Sequence, residues 1–255
     1  MKIGLIGAGA IATYLLETAD QHNYEISAVL VRNEEKYQAW AENHQVTLYS
    51  DVDKFLSASI DIVVEAANVQ AVKQYLPTVI EKKNAIVISI GAFVDEVFLA
   101  DTRKALLKSK QQVYLPSGAI GGLDLIKNAQ AASELSRVAI ETRKPAQSLL
   151  SEAIATEKVI FQGTARDAIE QYPKNINVSI ALSLAGIGFE KTSVKIIADP
   201  SVEKNMHTIT AEGDFGQMTF QVENNPLPTN PKTSYLAAMS VVGSLKNLDQ
   251  AIKIG

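Results

Sequence analysis

The sequence predicts an α/β protein in two parts: a doubly wound parallel sheet, and a second α+β domain whose sheet is mixed or antiparallel. Three observations carry this expectation. The first part of the chain alternates short β-branched runs with longer helical patterns, which implies parallel strands joined by right-handed crossovers. After about Ser117 that rhythm stops, and three strand-like runs crowd together between short turns. The opening "GLIGAGAIA" reads as strand, glycine turn and helix in succession.

Taken in order, the strand candidates of the first part are "KIGLIG", "EISAVLV", "IDIVVEA", "AIVISI" and "QVYLP". Helical patterns lie between them at Ile11–Gln21, Glu34–Asn43, Gln70–Lys82 and Glu96–Lys110. "IVV" is apolar at consecutive positions, as a strand covered on both faces requires. In the second part a short helix follows "GAIGG", and "SRVAIETRK" and "KVIFQG" read as strands. Helical stretches follow at Thr164–Gln171 and Asn175–Gly186, then the strands "TSVKIIADP", "MHTITAEG" and "GQMTFQVEN". "NNPLPTNPKTS" is expected to be an irregular connector because its prolines block regular structure. A final helix is expected from about Thr233 to Leu248, with Thr233 or Ser234 as its N-cap.

Composition narrows the function classes. Hydrophobic residues make up 47% of the 255 residues and charged residues 20%, a soluble globular balance. A net charge of −4 argues against nucleic acid or an anionic membrane as partner. The absence of cysteine removes thiolate chemistry, disulfides and Cys-ligated zinc. No apolar run reaches the roughly 18 residues of a membrane span. The start mimics a secretory signal, but it carries one positive charge and its glycines are in phase with the strand–turn–helix unit. A cytoplasmic protein is expected.

Gly7-Ala8-Gly9-Ala10-Ile11-Ala12 fits the G-x-G-x-x-G/A fingerprint of a Rossmann dinucleotide site. Gly7 permits the tight turn, Gly9 lets a pyrophosphate approach the backbone, and Ala12 allows close helix packing. Ala10 and Ile11 open the helix whose N-terminus faces the phosphates. An acid that would hold a ribose 2′-OH is missing from the end of the second strand, which reads Val31-Arg32-Asn33. Arg32 is placed where a guanidinium could meet a 2′-phosphate or stack on adenine, unless it is an ordinary surface residue after a strand; the missing acid tilts the expectation to NADP, or dual use of NAD and NADP. Glu65 and Asn68, at the end of a later parallel strand, are placed near the nicotinamide.

Of the three histidines, His22 and His44 each fall near a helix end and need no further role. His207 in "NMHTITAEG" alternates in phase with Ile209 and Ala211, as a core histidine would. Its position beside the polar "ADPSVEKN" makes it the candidate base instead. Asp199 and Asn205 flank it as candidates to orient the ring, although "ADP" could simply turn the chain. The histidines are isolated and no carboxylate cluster has ligand spacing, so no metal site is expected. "SGAIGG" (Ser117–Gly122) is a second glycine turn before a helix. Its N–H groups are positioned to meet an anion, unless the chain merely needs small residues for a tight turn.

"VVEAAN", "SIGAFVDE", "LPSGAIGGLD", "TRKP", "YPKNINV", "ADPSVEKNMH" and "NPKTS" occur in the order found in L-aspartate dehydrogenases, and the chain resembles that family from Gly4 to Ser234. The resemblance implies NAD(P)-dependent oxidative deamination of L-aspartate to iminoaspartate, which feeds NAD synthesis or hydrolyses to oxaloacetate and ammonia. It implies His207 as the active-site histidine and cofactor contacts at Ala119 and Asn177. It also implies a dinucleotide-binding domain of residues 1–117 and 232–255, a substrate-binding and dimerisation domain of residues 118–231, and a homodimer. The chain departs from the family pattern at Val31, where an acid is common, and at Ala146. Two substrate carboxylates call for cationic anchors, and Arg143, Lys144 and Lys232 are the candidates. Adjacent strand residues point to opposite faces, so only one of the first two should reach the substrate. The alternatives are an imine reductase of the dihydrodipicolinate reductase type, which calls for a basic, His-rich motif, and a non-catalytic NAD(P)-binding sensor.

Overall fold

The computed structural model describes residues 1–132, 135–172 and 176–252, with the Lys232 side chain outside the described set. The chain divides into two compact units, Met1–Pro116 with residues 238–252, and Ser117–Ala237.

The first unit is a six-stranded sheet: β1 (Lys2–Ile6), β2 (Glu25–Leu30), β3 (Thr47–Tyr49), β4 (Ile62–Glu65), β5 (Asn84–Val87) and β6 (Val113–Tyr114). Every neighbouring pair is parallel, and the order is β3-β2-β1-β4-β5-β6. The order reverses between β1 and β4, which is where ligands bind in such sheets. α1 (Ala10–Glu17), α2 (Gln38–His44), α3 (Val52–Ser57), α4 (Val69–Lys82) and α5 (Glu96–Ser109) form the crossovers. Asp51, Asn68 and Asp95 cap α3, α4 and α5 by accepting hydrogen bonds from the N–H groups of Lys54, Ala71 and Phe98. β3 and α3 escape the sequence reading because they are too short for periodicity to show. α3 docks through an absence on β1: a Cβ on Gly4 would lie 2.6 Å from the Phe55 ring.

The second unit holds α6 (Leu123–Ala131), β7 (Leu135–Pro145), α7 (Ala146–Leu149), β8 (Lys158–Thr164), α8 (Ala165–Gln171) and α9 (Asn177–Ala185). The helix expected from Asn175 thus has its first residues partly outside the described set. β9 (Ser193–Asp199), β10 (Asn205–Gly213) and β11 (Gly216–Asn224) complete a sheet of order β11-β10-β7-β9-β8. Only β7 and β9 run parallel, so the sheet is mixed. One face is apolar, with Val138, Ile140, Val194, Ile196, Ile209 and Ala211 buried on it. α6 packs on α9 and β7.

The proline-rich connector is ordered, contrary to expectation, as a small antiparallel ribbon of β12 (Pro226–Leu227) and β13 (Asn230–Ser234). Proline lacks only the N–H, and each strand of a two-stranded ribbon has an outward edge where none is needed. α10 (Tyr235–Asp249) follows directly. Ser234 donates its hydroxyl to Asn224 Oδ1 at 2.6 Å. From Ala238 onward α10 belongs to the first unit, where Val241, Val242 and Leu245 join the core with Ile3, Leu5, Val29 and Val64.

Candidate functional site

The first unit presents a cleft of about 500 Å³ at the point where its strand order reverses. Gly7, Gly9, Arg32 and Asn68 line it, with Lys36 and Tyr37. Gly7 adopts φ +102°, and a Cβ there would sit 2.8 Å from Ala67 Cβ, so the fold itself demands glycine. Gly9 is different. Its backbone is extended, and a Cβ would find only Ala66 O at 3.8 Å. Nothing in the protein forbids a side chain at Gly9, whereas a pyrophosphate lying on the backbone would. The residues present therefore fit a dinucleotide. Ala10 and Ile11 form the first turn of α1, as the fingerprint expects.

Arg32 follows β2 at the cleft, and Lys36 adds a second cation that the sequence reading missed. Asn33 Oδ1 accepts a hydrogen bond from Lys36 N–H at 3.0 Å, and the ammonium lies 5.3 Å from the Tyr37 ring centroid. An Asn three residues before a Lys at a helical start was the available signal.

Glu65 requires a correction. It is 2% exposed, and its carboxylate accepts from Ala67 N–H at 2.8 Å, Ser89 N–H at 3.0 Å and Ser89 Oγ at 2.8 Å. Burial raises its pKa, and the bonds from Ser89 and Ala67 oppose that rise. It fastens the loops after β4 and β5 to each other and is not among the residues that line the cleft. Asn68 does line the cleft, with Oδ1 spent on the α4 cap.

In the second unit His207 lies on β10, 4% exposed, opposite Thr142 of β7 and Val222 of β11. Its Nδ1 is 3.0 Å from Thr142 Oγ1, and Thr142 is itself buried. Burial, with the nearby positive charge of Lys144, lowers the His207 pKa from 6.5 to about 4. The ring is therefore neutral at physiological pH. The shared face grades from apolar at Ile140 and Ile209, through Thr142 and His207, to Lys144 and Asn205. Sequence pattern identified His207 but not Thr142, because the cross-strand register linking positions 65 residues apart is invisible in it.

Asp199 does not orient His207, which is a second correction. Oδ1 accepts from Ser201 N–H at 2.8 Å and Ser201 Oγ at 2.6 Å, and Oδ2 accepts from Arg143. Those partners, Ser201 foremost, hold its carboxyl well below the usual range. Asp199 therefore turns the chain, as the plainer reading of "ADP" had it. Arg143 also pairs with Glu157 and Glu141, and Lys195 reaches Glu141 at 3.0 Å. This ionic cluster occupies the sheet face opposite His207. Lys144 points the other way, with its charge disfavoured by burial.

The second glycine turn is now explicable in part. Gly118 has φ +66° and Gly122 φ +75°, and a Cβ on Gly122 would lie 2.5 Å from the Phe220 ring. Gly122→Ala is expected to destabilise the protein by about 1–3 kcal/mol, read by urea unfolding. Gly118→Ala, strained but uncrowded, should cost less. A loss at Gly122 no larger than at Gly118 would contradict the Phe220 contact. Gly121 has neither demand, since its Cβ would meet nothing within 4 Å. Ala119 O accepts from Asn224 Nδ2 at 3.0 Å, and Asn177 is exposed on the first turn of α9. Lys232 lies on β13, its side chain outside the described set.

His22 and His44 sit in last turns, as expected, and the His44 ring packs tilted against Trp40, with centroids 4.9 Å apart. Among the described residues no group of three or more His, Asp or Glu side chains gathers to hold a metal, and no helix is long and apolar enough to cross a membrane.

Residues 3–116 match a family model described as the NAD binding domain of homoserine dehydrogenase, and residues 124–248 match the aspartate dehydrogenase C-terminal family. L-aspartate dehydrogenase from Methanococcoides burtonii is 40% identical over 100% of this chain and 99% of its own. The same enzyme from Archaeoglobus fulgidus is 39% identical over 100% of both chains. The crystal structure of aspartate dehydrogenase from Thermotoga maritima superposes with a TM-score of 0.84 at 32% identity, covering 100% of this chain and 99% of that one. A homoserine dehydrogenase from Thiobacillus denitrificans, at 14% identity and a TM-score of 0.60, shares the fold alone.

Similarity sustained through both units, on this sheet order and glycine turn, defines an NAD(P)-dependent oxidoreductase. Within that class, the chain belongs to the L-aspartate dehydrogenase family.

Proposed function

We propose that this protein oxidatively deaminates L-aspartate to iminoaspartate, with His207 as the base. Bound NAD(P) supplies the acceptor for the hydride that leaves the substrate Cα. The nitrogen must lose its ammonium proton first, because only its lone pair can drive the hydride out. With Nδ1–H donating to Thr142 Oγ1, His207 offers the lone pair of Nε2 to that proton. The observation that carries this reading is the buried, neutral His207 held by Thr142 on a face that turns polar around it. Gly7, Gly9, Ala10 and Ile11 would hold the pyrophosphate, with Ala119 and Asn177 as further cofactor contacts. Gly121, where the fold leaves room for a side chain, supports a ligand lying over the second glycine turn. The first unit would serve as the cofactor domain and the second as the substrate and dimerisation domain of a cytoplasmic homodimer supplying NAD synthesis.

The imine-reductase reading calls for a His-rich motif, and His207 is the one histidine of the second unit. The test is the absorbance of reduced cofactor at alkaline pH with L-aspartate and either NAD or NADP. Glutamate, alanine and D-aspartate serve as controls. Turnover confined to L-aspartate is expected. Arg32 and Lys36 together favour NADP, so Arg32→Ala should raise KM for NADP about tenfold and leave KM for NAD nearly unchanged. Tight cofactor binding without turnover of any amino acid would reject the dehydrogenase reading and favour the sensor.

A further inference from the structure

The loop after β2 sorts its charges. Arg32, Asn33, Lys36 and Tyr37 line the cleft, whereas Glu34 and Glu35 are not among its lining residues. Val31 stands where an acid would hold a ribose 2′-OH, and Glu34 comes three residues later. The Glu34 carboxylate is engaged elsewhere: Ser50 donates its hydroxyl to Glu34 Oε1 at 2.6 Å. A hydroxyl bonded to a carboxylate at that distance makes a charge-assisted bond, stronger than one between neutral groups.

The sheet order gives that bond a direction. Ser50 follows β3, the edge strand, and β2 separates β3 from the point where the strand order reverses and the cleft opens. Val31 N–H donates to Tyr49 O at 2.8 Å, which fixes the end of β3 alongside the start of the loop. Glu34 is therefore drawn towards the sheet edge and away from the cleft. What remains on the cleft side mostly donates. The Arg32 guanidinium and the Lys36 ammonium have no lone pair to offer. Asn33 Oδ1 already accepts from Lys36 N–H at 3.0 Å, and Leu30 O from Gly7 N–H at 2.9 Å. The Tyr37 hydroxyl can accept, but it is neutral. Donors without a charged acceptor match a phosphomonoester dianion, and they leave the 2′-hydroxyl of NAD no carboxylate to bond.

We propose that Ser50 determines cofactor specificity: by holding Glu34 at the sheet edge, it keeps a like charge away from the 2′-phosphate of NADP and sets the preference for NADP over NAD. Ser50 acts through Glu34 and touches no ligand, so it is a positioning residue. Once released, the Glu34 carboxylate repels the 2′-phosphate and offers the 2′-hydroxyl of NAD the acceptor it lacks. This rests on the reading of Arg32 and Lys36 as a 2′-phosphate site, and it adds the acid that such a site must keep out.

The test measures Kd for NADP and NAD by calorimetry on the whole protein, with no amino acid present. Adenosine 2′,5′-bisphosphate and 5′-AMP probe the same subsite without the nicotinamide. Ser50 is exposed, so Ser50→Ala is expected to fold. In that variant Kd for NADP and for the bisphosphate should rise about 3–10-fold, while Kd for NAD stays level or falls. Adding Glu34→Gln to Ser50→Ala should restore NADP binding, because the repelling charge is gone. The Ser50→Ala loss should shrink as salt rises to about 1 M, as a repulsion does and a lost packing contact does not. An unchanged NADP-to-NAD ratio in Ser50→Ala overturns the proposal, as does a double variant that binds NADP no better than Ser50→Ala alone. If Arg32→Ala weakens NADP while Ser50→Ala does not, the 2′-phosphate site stands and the role of Ser50 falls. If Arg32→Ala leaves NADP binding untouched, the 2′-phosphate site falls and takes the proposal with it.

Discussion

Replacing His207 with alanine should lower kcat for L-aspartate by about 10²–10⁴-fold near neutral pH, the range a positioned base supplies. The loss should shrink as pH rises, because solvent then delivers the neutral amine that the base would otherwise have to make. Cofactor affinity should stay within about twofold, since the pyrophosphate-cleft residues belong to the other unit. The measurement is kcat against pH for both proteins, with cofactor Kd from quenching of Trp40, the single tryptophan, which lies in the first unit. A deficit that persists undiminished at high pH would mean His207 does something other than take the ammonium proton. Thr142→Val, which keeps the shape and removes the hydroxyl, should reproduce part of the deficit by releasing the ring.

The second large effect is on stability in acid. The folded His207 titrates at about 4, against 6.5 for the unconstrained side chain. As pH falls through 6.5 the unfolded chain binds a proton that the folded protein refuses, so stability drops progressively and levels off below about pH 4. Between pH 7 and 4.5 the contribution is about 2–3 kcal/mol. His207→Gln, which cannot titrate, should lose that much less over the same interval. The difference between the two proteins isolates this group from the carboxylates. Asp199, depressed by Ser201 and Arg143, loses its own contribution only at lower pH, and it does so equally in both proteins. Amide exchange along β10 reads the second unit directly, which Trp40 does not. Parallel acid curves for the two proteins would show that the ring is not held neutral.

The residues legible in advance were those whose role is local. The glycine turn, the parallel βα rhythm and the phase of His207 with Ile209 all follow from spacing along a few residues. The opposite orientations of Arg143 and Lys144 follow from strand alternation alone. What stayed hidden depends on partners distant in sequence. A glutamate at the end of a parallel strand resembles a ligand group until Ser89, 24 residues on, takes its oxygens. An aspartate before a strand histidine resembles its orienter until the sheet assigns the two to opposite faces. β3 and α3 were too short to signal themselves, and prolines in β12 and β13 are tolerated only because a two-stranded ribbon has outward edges.

The position of α10 has a consequence for biosynthesis. Val241, Val242 and Leu245 fill the core of the unit that contains β1, yet they follow the whole second unit in the chain. A nascent chain emerging from the ribosome can complete residues 117–237 while the earlier-made sheet still exposes the apolar surface reserved for α10. The unit begun first is finished last, and its unfilled core is the surface a chaperone would have to guard until synthesis reaches Leu245.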